Sequence, residues 1–536
     1  MLRVNTERRF LPRFKNRGKK RRRTYQAHEK RCLRRTRYIL TNAAIGLKSL
    51  LLSATESSLP SKKKIKGRTF VIGTAIVIVL GLYLGRLLFK SLLPPPVKRP
   101  ENVLWILIDT LRADHLGCYG YTPAETPKID RLALSGVLFS QAIAPVPETG
   151  PAVSSMFTAL YPVRHGHRDN VTVLDERHTT LAEILKTNGF RTAAFVEAFP
   201  FNGLHLAQGF DHYFERPRAE LDGGGDNLAA KLKEPFVWLR ENKGRKFFAF
   251  VHFFNPHMPY TPPLRSPRTI ALNYRGLFNG DFGPVFALWL KKIPIREQDT
   301  AYMISLYNDE ISFADQAVGA LLEEVKRLGL DKKTMVVLAA DHGESLGEHD
   351  YYFDHGDTLY ENQLRVPLII HYPGMPNQGQ AVASQVRTID IRPTILHLLN
   401  IPDPGKTDGV SLLPLIHGKK TSLKTKYAFS ESDTIFFSNP NNRGYIEGVG
   451  GKHVSVRTNE MKLIYIPKKP ESLFELYDLK NDPRELSNII GEKKKEGDEM
   501  KRVLFGWLTK VRGAPVLQEG LDEETKKVLR SLNYIR

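Results

Sequence analysis

Met335-Val336-Val337-Leu338-Ala339-Ala340-Asp341-His342-Gly343-Glu344 is an apolar run that stops at an aspartate, and Val103-Leu104-Trp105-Ile106-Leu107-Ile108-Asp109 is a second. Short apolar runs rich in β-branched residues, without polar alternation, read as strands buried on both faces, the mark of a parallel sheet. Open α/β sheets gather their ligands at the carboxyl ends of the strands. Both aspartates therefore arrive at one sheet edge, with His342 beside them. Two carboxylates and an imidazole meeting there form a candidate site for a divalent cation.

Working outward, helix signals stand at Thr126-Pro127, closing at Gly136, and at Thr180 to Glu183, a capping box closing at Gly189. Strands are expected at Arg191 to Val196 and Lys246 to His252, the latter leading into Asn255-Pro256-His257. A long amphipathic pattern from Thr300 to Leu328 feeds the Asp341 strand. This alternation predicts an α/β domain with a mostly parallel sheet covered on both faces, over about residues 101–420. Past residue 420 the strands shorten, and Val454 to Arg457 with Lys462 to Ile466 around Thr458-Asn459-Glu460 read as a hairpin. A small antiparallel C-terminal subdomain is expected over 421–536.

The 536 residues are 41% hydrophobic and 25% charged, ordinary for a globular chain, but the charge is unevenly placed. Residues 1–68 hold 22 Lys+Arg against 3 acidic residues, so +19 of the formal +22 lies in this tail. The rest is not a basic enzyme. The tail runs into 69–85, seventeen uncharged residues, and Arg86 can snorkel so that the apolar stretch reaches Leu93. With Lys62-Lys63-Lys64, Lys66 and Arg68 before it, 69–93 reads as an uncleaved signal anchor, N-terminus inside, rather than as a buried core helix. The single-pass chain would carry its catalytic domain outside the cytoplasm, on a proline-rich stalk at 94–100. Sparse aromatics make the tail a solvated, disordered topogenic segment; anionic lipid is the partner its charge would attract, and no nucleic acid is expected. Cys32 and Cys118 then lie on opposite sides of the membrane and form no intrachain disulfide.

A nucleophile is offered by Pro147-Glu148-Thr149-Gly150-Pro151-Ala152-Val153-Ser154-Ser155-Met156-Phe157-Thr158. Pro151 is expected to open a helix, which sets Thr149 just before an N-terminus whose unpaired N–H groups favour an anion. A cation-bound hydroxyl there can ionise and attack a phosphoryl or sulfuryl centre. The competing reading of Thr149 is an ordinary N-cap.

Here the chain resembles the sulfatase family of the alkaline phosphatase superfamily. The resemblance rests on Asp109-Thr110-Leu111-Arg112-Ala113-Asp114-His115-Leu116-Gly117-Cys118-Tyr119-Gly120, the segment from Thr149 to Pro162, Asn255-Pro256-His257-Met258-Pro259-Tyr260, Asp341-His342-Gly343-Glu344 and Leu476-Tyr477-Asp478-Leu479-Lys480-Asn481-Asp482-Pro483, in family order over about 101–490. Leu529 to Tyr534 resembles the usual tail end. The resemblance implies an alkaline phosphatase-like α/β/α sandwich and makes Asp109, Thr149, Asp341 and His342 ligands of one divalent metal. Thr149 would be the nucleophile; His257 would act near the leaving group and His355 on the non-bridging oxygens, as catalytic and substrate-binding residues, with Asn170 in the same pocket. Without the resemblance, either histidine would pass equally well as a surface or structural one.

Where the chain departs from the family pattern, it points to phosphorus. Formylglycine enzymes carry Cys or Ser in C/S-x-P-S-R, whereas here the positions are Thr149 and Val153, and threonine cannot be oxidised to formylglycine. The usual second aspartate is Thr110, and the usual asparagine is His342. The set resembles that of phosphoethanolamine and phosphoglycerol transferases. A plain alkoxide would form a sulfo-threonine without the C–O cleavage exit of a formylglycine hydrate, whereas a phospho-threonine can be opened at phosphorus by water or an alcohol. The imidazole favours zinc or manganese over calcium or magnesium. The expectation is a membrane-anchored hydrolase of phosphoric or sulfuric esters on a small-molecule, glycan or lipid substrate. The alternatives are a transferase, a conventional sulfatase, or a membrane-anchored pseudoenzyme that only binds. Loops at 204–235 and 263–295 would set specificity and carry no readable motif.

Overall fold

The computed structural model describes residues 99–511, apart from 124, 218–219, 221–226, 264–273, 420–421, 424–425, 433–451 and 469, together with positions 81, 523, 526 and 527. The chain divides into two units, Met1–Pro96 and Val97–Arg536. The basic tail, the expected anchor apart from Gly81, most of the stalk, Cys32, and Leu529 to Tyr534 lie outside the described residues. Among the described residues no helix is long and apolar enough to cross a membrane.

The second unit is built on an eight-stranded sheet. Its strands are β1 Asn102–Ile108, β2 Val137–Phe139, β3 Arg191–Glu197, β4 His212–Arg216, β5 Phe247–Phe253, β6 Thr334–Ala340, β7 Leu368–His371 and β8 Gln380–Val382. They lie in the order β8-β2-β7-β6-β1-β5-β3-β4. All neighbours pair in parallel except β7, which is antiparallel to both β2 and β6. Every residue of β1, β5 and β6 is buried. Since side chains alternate between faces, the sheet centre is covered on both sides, which is why these strands read as unbroken apolar runs.

The helices that matter for the site are α1 Pro127–Ser135, α2 Thr149–Thr158, α3 Leu181–Thr187, α4 Leu228–Asn242, α5 Glu297–Arg327 and α6 Ile391–Leu399. Helix α5 packs on α1 and α4, while α2 packs on α3 and α6. The expected capping box of α3 is present, with the Thr180 side chain accepting from Glu183 N and the Glu183 carboxylate from Thr180 N. The start of α1 differs from expectation. Thr126 is its N-cap residue, but its hydroxyl accepts from Gly117 N instead. The free N–H groups of Lys128 and Ile129 donate to the Asp315 carboxylate of α5, at 3.1 and 2.7 Å. A tertiary carboxylate thus replaces the local cap, which a window of sequence cannot show.

The C-terminal part is the expected antiparallel sheet, β9 Ala428–Glu431, β10 Val454–Arg457, β11 Met461–Ile466 and β12 Leu473–Asp478 in that order, beside helix α7 Lys494–Val511. The hairpin register pairs Arg457 with Lys462. Glu361, from the sheet domain, accepts two bonds of 2.8 Å from Arg457 and one of 3.2 Å from Lys462, which ties this subdomain to the main sheet region.

Candidate active site

The sheet order explains how the site assembles. β1 and β6 are adjacent and in register from Asn102↔Thr334 to Ile108↔Ala340. The next residues, Asp109 and Asp341, therefore leave the sheet at the same level, and both are fully buried. Thr110 N donates to Asp341 Oδ1 across the gap at 3.3 Å. Thr110 has φ +51°, an unusual conformation for a threonine. Tyr307 of α5 pins that turn, donating its hydroxyl to Thr110 O at 2.7 Å and accepting from Arg112 N at 3.1 Å.

His342 is oriented by its own loop. Its Nδ1 lies 2.9 Å from Gly343 O, which can only accept, so the neutral ring carries its proton on Nδ1 and presents a lone pair at Nε2. Around that lone pair stand Thr149 Oγ1 at 3.2 Å, Asp341 Oδ2 at 3.5 Å and Asp109 Oδ1 at 3.9 Å. One ligand atom from each of Asp109, Asp341 and His342 lies within 4.8 Å of the others. The Thr149 hydroxyl can donate to that lone pair, but the two carboxylate oxygens facing it in a buried site are repelled by it and by each other. Both oxygens of Asp109 and Oδ2 of Asp341 have no hydrogen-bond partner. Burial, and then the Asp341 carboxylate, push the Asp109 carboxyl well above the ordinary range. A divalent cation resolves all three features, so the residues present fit one.

Thr149 lies at the first position of α2, with Glu148 as the cap residue, rather than just before a helix opened by Pro151. Pro151 is instead the third helical residue. The first four N–H groups of a helix have no internal partner, so a proline there removes no bond. Thr149 is fully buried at the same N-terminus that the sequence marks as anion-binding. Asn170 stands beside the start of α2: its Oδ1 accepts from Gly150 N at 2.9 Å, and its buried Nδ2 has no partner. The His355 ring lies 4.4 Å from that of His342 and 5.0 Å from that of His257. His355 Nδ1 is 3.1 Å from Glu344 Oε1, and His257 Nδ1 is 2.6 Å from Met258 O. Burial pushes the Glu344 carboxyl up to about 8, and burial followed by the neighbouring His342 pushes His355 down.

All seven expected site residues therefore belong to one buried constellation. Two histidines outside that set join it. His252, the penultimate residue of β5, places Nε2 3.3 Å from Asp109 Oδ2. His167 takes up Ser154 Oγ at 2.7 Å through Nδ1, and its Nε2 lies 2.9 Å from where a Cβ on Gly150 would be. The signal for His252 is a histidine at the end of an otherwise apolar strand; for His167, nothing local distinguishes it from His165 nearby. Cys118 is a free thiol.

Residues 101–401 match the model of the sulfatase family, and residues 347–512 match that of the N-sulphoglucosamine sulphohydrolase C-terminal region. The chain belongs to the sulfatase family, ester hydrolases with an alkaline phosphatase-like fold. It is 27% identical over 340 residues to the ulvan-active sulfatase of Formosa agariphila, covering 59% of this chain and 65% of that protein, just under two thirds. It is 25% identical over 484 residues to the multifunctional alkaline phosphatase superfamily protein PehA of Trinickia caryophylli, covering 73% and 91%. The fold is shared with the phosphonate monoester hydrolase of Agrobacterium radiobacter, at a TM-score of 0.62 and 22% identity over 77% of this chain and 95% of that one.

Proposed function

We propose that this chain is a membrane-anchored, metal-dependent hydrolase of phosphate esters, phosphonate monoesters included, that acts through Thr149. The observation that carries the reading is Thr149 Oγ1, a side chain barred from becoming formylglycine, 3.2 Å from the Nε2 lone pair of His342 among the buried carboxylates. The similarity to a multifunctional alkaline phosphatase superfamily protein and to a phosphonate monoester hydrolase supports it. Asp109, Asp341, His342 and Thr149 would hold one divalent cation, zinc or manganese by the chemistry of the imidazole ligand. Bound there, the cation lowers the pKa of the Thr149 hydroxyl and offsets charge on the transferring group.

The chain's own groups then account for two displacements. Thr149 Oγ1, its proton released to solvent, forms a bond to phosphorus as the bond to the leaving oxygen breaks, and that oxygen takes a proton from protonated His257, which is restored by the water that attacks in the second step. Water next attacks phosphorus in line, the Oγ1–P bond breaks, and phosphate departs as Oγ1 regains a proton. Asn170 Nδ2 and His355 serve the non-bridging oxygens. The buried helix N-terminus favours the added negative charge throughout.

The heavily basic flank before residue 69 supports a single-pass topology with the catalytic domain outside the cytoplasm. A reporter after Arg536 that is active only in the cytoplasm contradicts that. Screening the purified chain against phosphate mono- and diesters, phosphonates and sulfate esters with Zn²⁺, Mn²⁺ and Ca²⁺ tests the chemistry. Preference for phosphorus is expected. Turnover of sulfate esters alone would establish the second reading, a conventional sulfuric ester hydrolase, which the family match and the named sulfatase relatives favour. An acceptor-dependent product would indicate the transferase.

A further inference from the structure

His252 has no role in the chemistry above, yet its position is hard to explain as packing. In the parallel pairing of β1 and β5 it stands opposite Leu107, and Asp109 N donates to Phe253 O at 3.0 Å, continuing the register. Leu107 and Asp109 are two residues apart and share a face, so His252 projects to the face of the sheet from which Asp109 emerges. Its ring is fully buried and packs on Phe201 at 5.2 Å. Neither ring nitrogen makes a well-aligned hydrogen bond, although the Glu197 backbone lies close to the ring. A buried unsatisfied polar group costs about 1–3 kcal/mol, so an imidazole is an expensive filler where leucine or phenylalanine would fit.

A carboxylate beside it resolves the question. His252 Nε2 is 3.3 Å from Asp109 Oδ2, whereas the ligand face of His342 looks at the other oxygen, Oδ1, from 3.9 Å. The two imidazoles bracket one carboxylate from opposite oxygens. We propose that His252 is a positioning residue of the cation site: its Nε2–H is held against Asp109 Oδ2, fixing the carboxylate so that Oδ1 is turned to the ion shared with Asp341 and His342. Outer partners of this kind commonly govern metal affinity by about 10–100-fold. The inference rests on the cation reading of Asp109, and its test separates the two.

The measurement is Zn²⁺ affinity of the full chain by competition with a chromophoric chelator, for wild type, His252→Phe and His252→Gln, with thermal melts of the metal-free proteins alongside. His252→Phe keeps a ring on Phe201 and removes the donor, and should bind Zn²⁺ about 10–100-fold more weakly with the melt little changed. His252→Gln restores an N–H near the same place and should recover most of the affinity. A Phe variant that binds like wild type overturns the inference. So does a folded Gln variant no better than Phe, because restoring an N–H then restores nothing. A wild type that binds no Zn²⁺ stoichiometrically would overturn the cation reading itself and this inference with it.

Discussion

Gly343, in Asp341-His342-Gly343-Glu344, has no left-handed φ to explain it, and the space around it does. A Cβ added there would lie 2.0 Å from Asn362 O, 3.0 Å from Asn362 C and 3.2 Å from Gln363 Cα, all backbone atoms. Gly343 N also donates to Gln363 O at 2.7 Å, so the two segments are bonded at the point of closest approach. For Gly343→Ala the gap to Asn362 O must open by about 1.4 Å to reach 3.4 Å, where ordinary contact begins. Neither segment can yield by rotating a side chain. The turn carrying Asp341 and His342 must therefore move by about 1 Å, at a stability cost on the order of 1–3 kcal/mol or more. A misplacement of that size in a catalytic array costs about 10²-fold in rate. The assay is kcat on the best substrate of the ester screen, together with bound zinc by elemental analysis. Gly244→Ala, with nothing within 4 Å of the new Cβ, is the control and should be near neutral. If Gly343→Ala keeps wild-type kcat and metal content, the loop is not the rigid carrier of the ligands described above.

Asp341→Ala and His342→Ala should each lose activity and metal occupancy together; full occupancy with turnover in either would place the cation elsewhere. Burial pushes the Asp315 carboxyl up to about 6, above its unfolded value of about 3.9, so its contribution to stability is complete below that value and is lost as pH rises through 6, on the order of 3 kcal/mol in all. Asp315→Asn should therefore gain on wild type in chemical denaturation as pH goes from about 4 to 7, and parallel profiles would contradict this. Arg457→Met leaves the mostly covered Glu361 carboxylate with one ion-pair partner instead of two, and should cost about 3–5 kcal/mol of stability. An unchanged unfolding midpoint would mean that the C-terminal sheet is not held by that network.

The strands that build the site were readable because they are buried on both faces, so apolar runs such as Val103 to Ile108 and Met335 to Ala340 stand out without periodicity analysis. Their arrival at one sheet edge is suggested by the repeated terminal aspartate, and Asn170, His257 and His355 enter as candidates through the resemblance alone. What stayed hidden depends on contacts between distant segments. The α1 cap comes from Asp315, nearly two hundred residues away, and the carboxylate that faces His252 follows a different strand. The opening of α2 at Thr149 rather than Pro151 escaped because a proline is equally acceptable at the first and third helical positions. Substrate choice was illegible in the loops at 204–235 and 263–295.

The central claim is that Thr149 forms a covalent bond to phosphorus. Acid-quenching wild-type protein during turnover of a phosphate ester, and digesting it for mass spectrometry, should show the Thr149 peptide carrying one phosphoryl group. The adduct should be absent from Thr149→Ala, which should keep its fold and bound metal, and present in Thr149→Ser. Rapid phosphate-ester turnover by Thr149→Ala, or an unmodified Thr149 peptide throughout turnover in a protein that hydrolyses only sulfate esters, would contradict the account.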